Sequence, residues 1–185
     1  AGTQEGLALL ELVGYRLGKM MTPECLNTVI LQGAHQGLSV AYGLAYNPEG
    51  RALLALDGYR LGKMITPECL NTLILQGCNQ GTSVALGLAG KKAGHALLAR
   101  DNYRLVKMIT PECLNAMVFQ GEDQGRSVAY WLAGTQEGRA LLALDSYRLG
   151  KMITPESLNA VILQGGRQGE SVAYWLAGTQ EGRAL

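Results

Sequence analysis

An all-α fold is predicted by three observations. The sequence repeats itself every 44 residues, helix-start signals recur at fixed places in each repeat, and no run shows the strict alternation of a strand. Tyr15-Arg16-Leu17 returns as Tyr59-Arg60-Leu61, Tyr103-Arg104-Leu105 and Tyr147-Arg148-Leu149. The residues 1–185 thus read as a single array: a tail of a preceding repeat at 1–13, full units at 14–57, 58–101 and 102–145, and a truncated fourth at 146–185.

Each unit spells three short helices. The first starts at Thr22-Pro23-Glu24, where Thr caps, Pro suits the first helical position and Glu favours the positive helix start. Its apolar spacing predicts a helix through Leu26, Val29 and Ile30, ended by Gly33. The second starts after the Ser39 cap and runs from Val40 to about Ala45. The third starts at Asn47-Pro48-Glu49 and continues through Leu53, Leu54, Leu61 and Met64. Its apolar residues cover most of the helical wheel, the pattern of a helix packed on several sides. Links of two to six residues are expected between helices. A unit this small cannot bury its own apolar faces, so neighbours must stack, which predicts a solenoid whose repeat length falls in the range of HEAT and armadillo units.

The chain has 185 residues, 16 Lys plus Arg and 15 Asp plus Glu, for a net charge of +1. That balance gives no bulk attraction to nucleic acid or anionic membrane. No apolar run approaches the 18 or more residues of a membrane span, and no leader with a basic start and an apolar run is visible. Four cysteines in this length do not make a disulfide scaffold, and His35 and His95 are too few for a histidine-rich metal site. No metal and no cofactor are expected, nor is membrane insertion, and the expected location is cytoplasmic. Both chain ends fall inside a repeat without a polar capping unit, which predicts either a fragment of a larger protein or head-to-tail self-association. Leu158, Val161, Ile162 and Trp175 are expected to be partly exposed in the last unit.

The units serve as their own comparison set. Leu26, Leu70, Leu114 and Leu158 match, as do Asn27, Asn71, Asn115 and Asn159. Variation concentrates between the first and second helices. Ala34-His35 becomes Cys78-Asn79, Glu122-Asp123 and Gly166-Arg167, and Leu38 becomes Thr82, Arg126 and Glu170. The flanking Gly33, Gln36, Gly37 and Ser39 recur in every unit. Variable tips in a fixed frame are either tolerated drift at the surface or a row of partner-binding positions. The second is favoured for the row as a whole, because Arg16 and Lys19 do not vary.

Gly125, Ser127, Ala133, Gly138 and the pair Leu141-Leu142 resemble an ankyrin repeat, with Val128 and Tyr130 where that family has Pro and His. The resemblance covers about half of each unit and implies an ankyrin-like array, a type found in effectors of intracellular bacteria. It implies partner contacts at the variable residues named above, and the host cytosol as the location of such an effector. Ile65-Thr66-Pro67-Glu68 followed by a variable pair and Gly is also similar to the repeats of TAL effectors, which read one base per repeat. That likeness implies nucleic-acid reading as an alternative, against which stand Gln80 in place of a glycine, the longer period and the near-neutral charge.

Cys25, Cys69 and Cys113, with Ser157 in the fourth unit, read as small buried groups rather than metal ligands. Stacked helices about 10 Å apart hold equivalent atoms too far from one another for a shared ion or a disulfide. The Asn27 ladder is expected to tie a neighbouring link in place. Unit two departs most, with Lys91, Lys92, His95 and Arg100 as a possible basic patch for an acidic partner. No nucleophile, base and orienting group form a recognisable set, so no enzyme is expected. The function predicted is a protein-interaction scaffold.

Overall fold

The computed structural model describes residues 19–33, 35–56, 60–77, 79–121, 123–144, 148–163 and 166–184. Their regular structure is all α, with no strand among the described residues. In chain order the helices are α1 Pro23–Asn27, α2 Val40–Tyr46, α3 Pro48–Ala55, α4 Leu61–Met64, α5 Pro67–Asn71, α6 Val84–Ala89 and α7 Lys92–Met108. There follow α8 Pro111–Asn115, α9 Val128–Ala133, α10 Gln136–Leu142, a 3-10 turn at Gly150–Met152, α11 Pro155–Asn159, α12 Val172–Ala177 and α13 Gln180–Arg183.

The caps explain the starts. Thr22, Thr66, Thr110 and Thr154 each accept a hydrogen bond from a backbone N–H three residues on, and Pro stands first in each helix that follows. Ser39, Ser83, Ser127 and Ser171 cap α2, α6, α9 and α12 in the same way. Each such cap contributes about 1 kcal/mol.

Two expected helices are shorter than their apolar spacing suggests. The first ends at Asn27 rather than running on through Ile30. The Ile30 N–H donates to the Leu38 carbonyl at 2.9 Å, and the Gly37 N–H donates back to Ile30 at 2.8 Å. These two bonds close residues 28–39 into a hairpin-like link, longer than the two to six residues expected. The same closure joins Ile74 to Thr82 and Gly81, Val118 to Arg126 and Gly125, and Ile162 to Glu170 and Gly169. The third helix also stops early. α3 ends at Ala55, Arg60 is left-handed at φ 54°, and Leu61 begins the separate turn α4. α7 carries the corresponding break inside it, with Asp101, Asn102 and Tyr103 at φ 49°, 56° and 57°. Asp and Asn tolerate this conformation better than other side chains, which is how a helix of good formers comes to be interrupted there.

Packing forms two rows. α2, α6, α9 and α12 each lie against the next, as do α3, α7, α10 and α13. Leu44, Leu88 and Leu132 in the first row and Leu98 in the second are fully buried. Within a pair the helices approach closely: a Cβ at Gly94 or Gly138 would strike the Leu88 or Leu132 carbonyl. At Gly81, with φ +88°, a Cβ would strike the Met117 carbonyl of the next link, so only glycine lets successive links nest.

The asparagines tie each α-turn to its successor. The Asn27 amide donates to the Pro23 and Met64 carbonyls, each at 2.7 Å, and its oxygen accepts from the Thr66 N–H at 3.0 Å. Asn71 makes the same bonds to Met108 and Thr110, and Asn115 to Met152 and Thr154. The side chain thus satisfies backbone groups at the start of α5, α8 and α11 that the helix itself leaves unpaired.

Candidate functional site

Among the twelve variable positions, Ala34, Cys78 and Glu122 lie outside the described residues. His35 and Gly166 are exposed at the link tips, and Asn79, Asp123 and Arg167 are half-buried. The later position of each link is different. Its backbone is held in the closure described above, and at Thr82 and Glu170 the side chain bonds to a tyrosine of the preceding unit. Thr82 is 5% exposed, its hydroxyl 3.1 Å from that of Tyr42 and donating to the Asn79 carbonyl at 2.6 Å. Glu170, half-buried, accepts from the Tyr130 hydroxyl. Leu38 is half-buried as well.

Units three and four join their variable residues into one network. Arg126 pairs with Asp123 at 2.7 Å and lies over the Trp131 ring at 4.9 Å. Arg167 pairs with Glu170 at 3.6 Å and lies near both Trp131, at 5.8 Å, and Trp175, at 5.5 Å. Arginine and tryptophan therefore alternate along the link side of the α9–α12 row. Each contact contributes roughly 0.5–1 kcal/mol. The sequence carried a signal for this ladder in Gly43 and Gly87 becoming Trp131 and Trp175. A Cβ on Gly87 would strike the Tyr46 ring at 2.6 Å, and Trp131 stands 3.6 Å from where a Cβ on Gly90 would be.

At the junction of the first three units these residues enclose a cavity of about 280 Å³, walled by Tyr46 and Trp131 and lined by Arg51, Lys91, Asp123 and Arg126. Arg51 is 5% exposed and donates through one terminal nitrogen to the Ala45 carbonyl at 2.7 Å. Arg139 and Arg183 cap Ala133 and Ala177 alike, so the arginine serves to satisfy the end of the preceding helix.

Of the four expected basic-patch residues, Lys92 and His95 line one pocket together with Glu137, and Lys91 lines another. His95 is 2% exposed and occupies the place of Arg51 in unit two, its Nε2 2.5 Å from the Ala89 carbonyl. Burial pushes its pKa below the usual histidine value, so it is neutral at pH 7 and its Nε2–H donates. Lys92 pairs with Glu137 at 3.4 Å, Arg100 donates to the Ala55 carbonyl, and Lys91 alone of the four lines the cavity just described.

Cys69 and Cys113 are buried, with sulfur 3.3 Å from the Ser39 and Ser83 hydroxyls, and Cys25 is exposed. Burial pushes the Cys113 thiol up to about 11, which leaves it protonated and a poor nucleophile at neutral pH. No group of three or more metal-binding side chains occurs among the described residues, and no helix there is long and apolar enough to cross a membrane. One apolar feature escaped the sequence reading: Leu31, Leu75, Phe119 and Leu163, equivalent by repeat, are 60–78% exposed on the opening arms of the links.

Comparison of the chain with protein-family models, curated proteins and solved structures finds no match. Function is therefore argued from the residues alone.

Proposed function

We propose that the chain is a solenoid of 44-residue repeats, ankyrin-like in plan, that binds a protein partner along its link side and performs no catalysis. The observation that carries this reading is the convergence of Asp123, Arg126, Arg167 and Glu170, all at positions that change from unit to unit, with Trp131 and Trp175 on one side of the helix rows. Aromatic and arginine side chains are the residues that most often anchor protein interfaces. The frame beneath them, by contrast, is the invariant Asn, Ser and Gly ladder.

The test is site-specific photo-crosslinking. A crosslinker at Arg167 or His35 should capture a protein partner, and one at the exposed Ala140 of α10 should not. Alanine at Glu122, Asp123 and Arg126 together should reduce capture at Arg167 with little change in stability. Salt-sensitive binding to DNA in the absence of any protein partner would overturn the reading in favour of nucleic-acid recognition.

Self-association is a second reading, favoured by the exposed row Leu31, Leu75, Phe119 and Leu163. A row with one apolar residue per repeat matches a second array in register. Sedimentation across a wide concentration range separates the two: a species that stays monomeric excludes the second.

A further inference from the structure

The cavity where the first three units meet has donors without acceptors. The Nε atoms of Arg51 and Arg126 are buried and have no hydrogen-bond partner. Arg51 is 95% buried, since only 5% of it is exposed. Such groups are costly to leave unmatched, at about 1–3 kcal/mol each and more when charged. Around the cavity stand three cations, Arg51, Lys91 and Arg126, against one described carboxylate, Asp123, which Arg126 already engages. The volume of about 280 Å³ compares with the roughly 30 Å³ that one water occupies, so the space takes a side chain as well as solvent. Tyr46, stacked on Tyr42 with ring centroids 4.3 Å apart, and Trp131, under the Arg126 guanidinium, flank it. An anion is what three cations call for, and a planar one suits the arginine fork.

We propose that this cavity binds a carboxylate of the partner, carried by an acidic residue that enters beside Lys91. The proposal rests on the link-side reading above and names the chemistry it recognises. The carboxylate accepts from Arg51 and Arg126, and Lys91 at the mouth adds attraction. Unit two is fitted to this role. Gly90 lets Trp131 approach, while Tyr46 fills the space beside Gly87, where units three and four carry Trp131 and Trp175. Lys91 stands where Asn47, Thr135 and Thr179 precede the equivalent helices, and it gives α7 no side-chain cap. A lysine there has no structural advantage, since a positive charge at a helix start opposes the dipole.

The repeats themselves supply the test variants. Arg51→His copies His95, which caps the same carbonyl without a guanidinium, and Lys91→Thr copies Thr135, which caps its helix through the Gly138 N–H at 3.1 Å. Three probes are titrated by calorimetry and by Trp131 fluorescence: a both-ends-capped Gly-Glu-Gly tripeptide, its Gly-Gln-Gly counterpart, and acetylated triglycine with a free C-terminus. The Glu probe should bind at least about tenfold more tightly than the Gln probe, the size expected for hydrogen bonds to a charged group. Arg51→His and Lys91→Thr should each weaken the Glu probe several-fold while leaving a cooperative melt. Equal binding of free-ended triglycine would support the carboxylate and assign it to a chain end. Equal binding of the Glu and Gln probes, or Glu binding unchanged in both folded variants, would overturn the proposal. Inorganic phosphate outcompeting the Glu probe at equal concentration would overturn it too. Because these titrations need no partner, they fail independently of the link-side reading: crosslinking at Arg167 can succeed where the Glu probe does not bind, and the reverse.

Discussion

Units three and four carry the same Val-Ala-Tyr-Trp-Leu-Ala helix, yet Tyr130 is 2% exposed and Tyr174 59%. Leu114 is fully buried, while its equivalent Leu158 is half-buried. A Cβ at Gly81 would strike the next link and one at Gly125 would touch Ile162 of the next link, while a Cβ at Gly169 would meet nothing. What separates the two regions is the following unit. α12 covers α9, and among the described residues the helices packed on α12 are α9, α11 and α13, none of them a successor in its own row. The buried faces of α9 and Leu114 are thus completed by the segment that follows them.

The largest effect that should distinguish the two regions is core truncation. Leu114→Ala should cost about 2–5 kcal/mol, and Leu158→Ala clearly less, as read by denaturant midpoint. Equal losses would mean that Leu158 is buried by something within its own unit. Next is the asparagine ladder. Asn71→Ala strips bonds from Met108 and Thr110 and should cost about 1–3 kcal/mol. Asn159, which donates to Pro155 within its own helix, should cost less than about 1 kcal/mol when replaced.

These asparagines were legible in the sequence, because an amide repeating on an apolar helix must find partners. So were the helix starts, for which Thr-Pro and Ser signals are local. The ends were not. Ile30 continues the apolar spacing of α1, but its N–H is taken by Leu38 in the link, a pairing that no periodicity reveals. The break at Asp101–Tyr103 likewise follows from the need to turn the chain onto the next unit. At the candidate site, His35 and Arg167 could be placed at tips from the pattern of variation. Thr82 could not, since it is buried by Tyr42, 40 residues earlier. The alternation of Arg126, Trp131, Arg167 and Trp175 is not legible in the sequence, because the arginines lie in the links and the tryptophans in the helices, and only the fold sets them side by side.

Two smaller effects sharpen the comparison at unit two. Lys91→Thr should stabilise the chain by about 1 kcal/mol through the restored cap, raising the melting temperature by about 2–4 °C. His95 should make stability depend on pH. Its folded pKa lies below the unfolded value of 6.5, so below that value the unfolded chain binds more protons and stability falls as the pH drops. The melting temperature should decline between about pH 7 and 5.5. In His95→Arg, which copies Arg139, that decline should be reduced.

The central claim, that the following unit supplies the burial, is tested most directly by providing one. A second copy of residues 142–185 placed after Leu185 extends the sequence in phase by one 44-residue unit. Hydroxyl-radical footprinting then reads Tyr130 and Tyr174 in the original and extended chains. In the original, Tyr174 should be modified far faster than Tyr130, and in the extended chain it should fall to the rate of Tyr130. A folded extended chain in which Tyr174 stays as reactive as before would contradict the account.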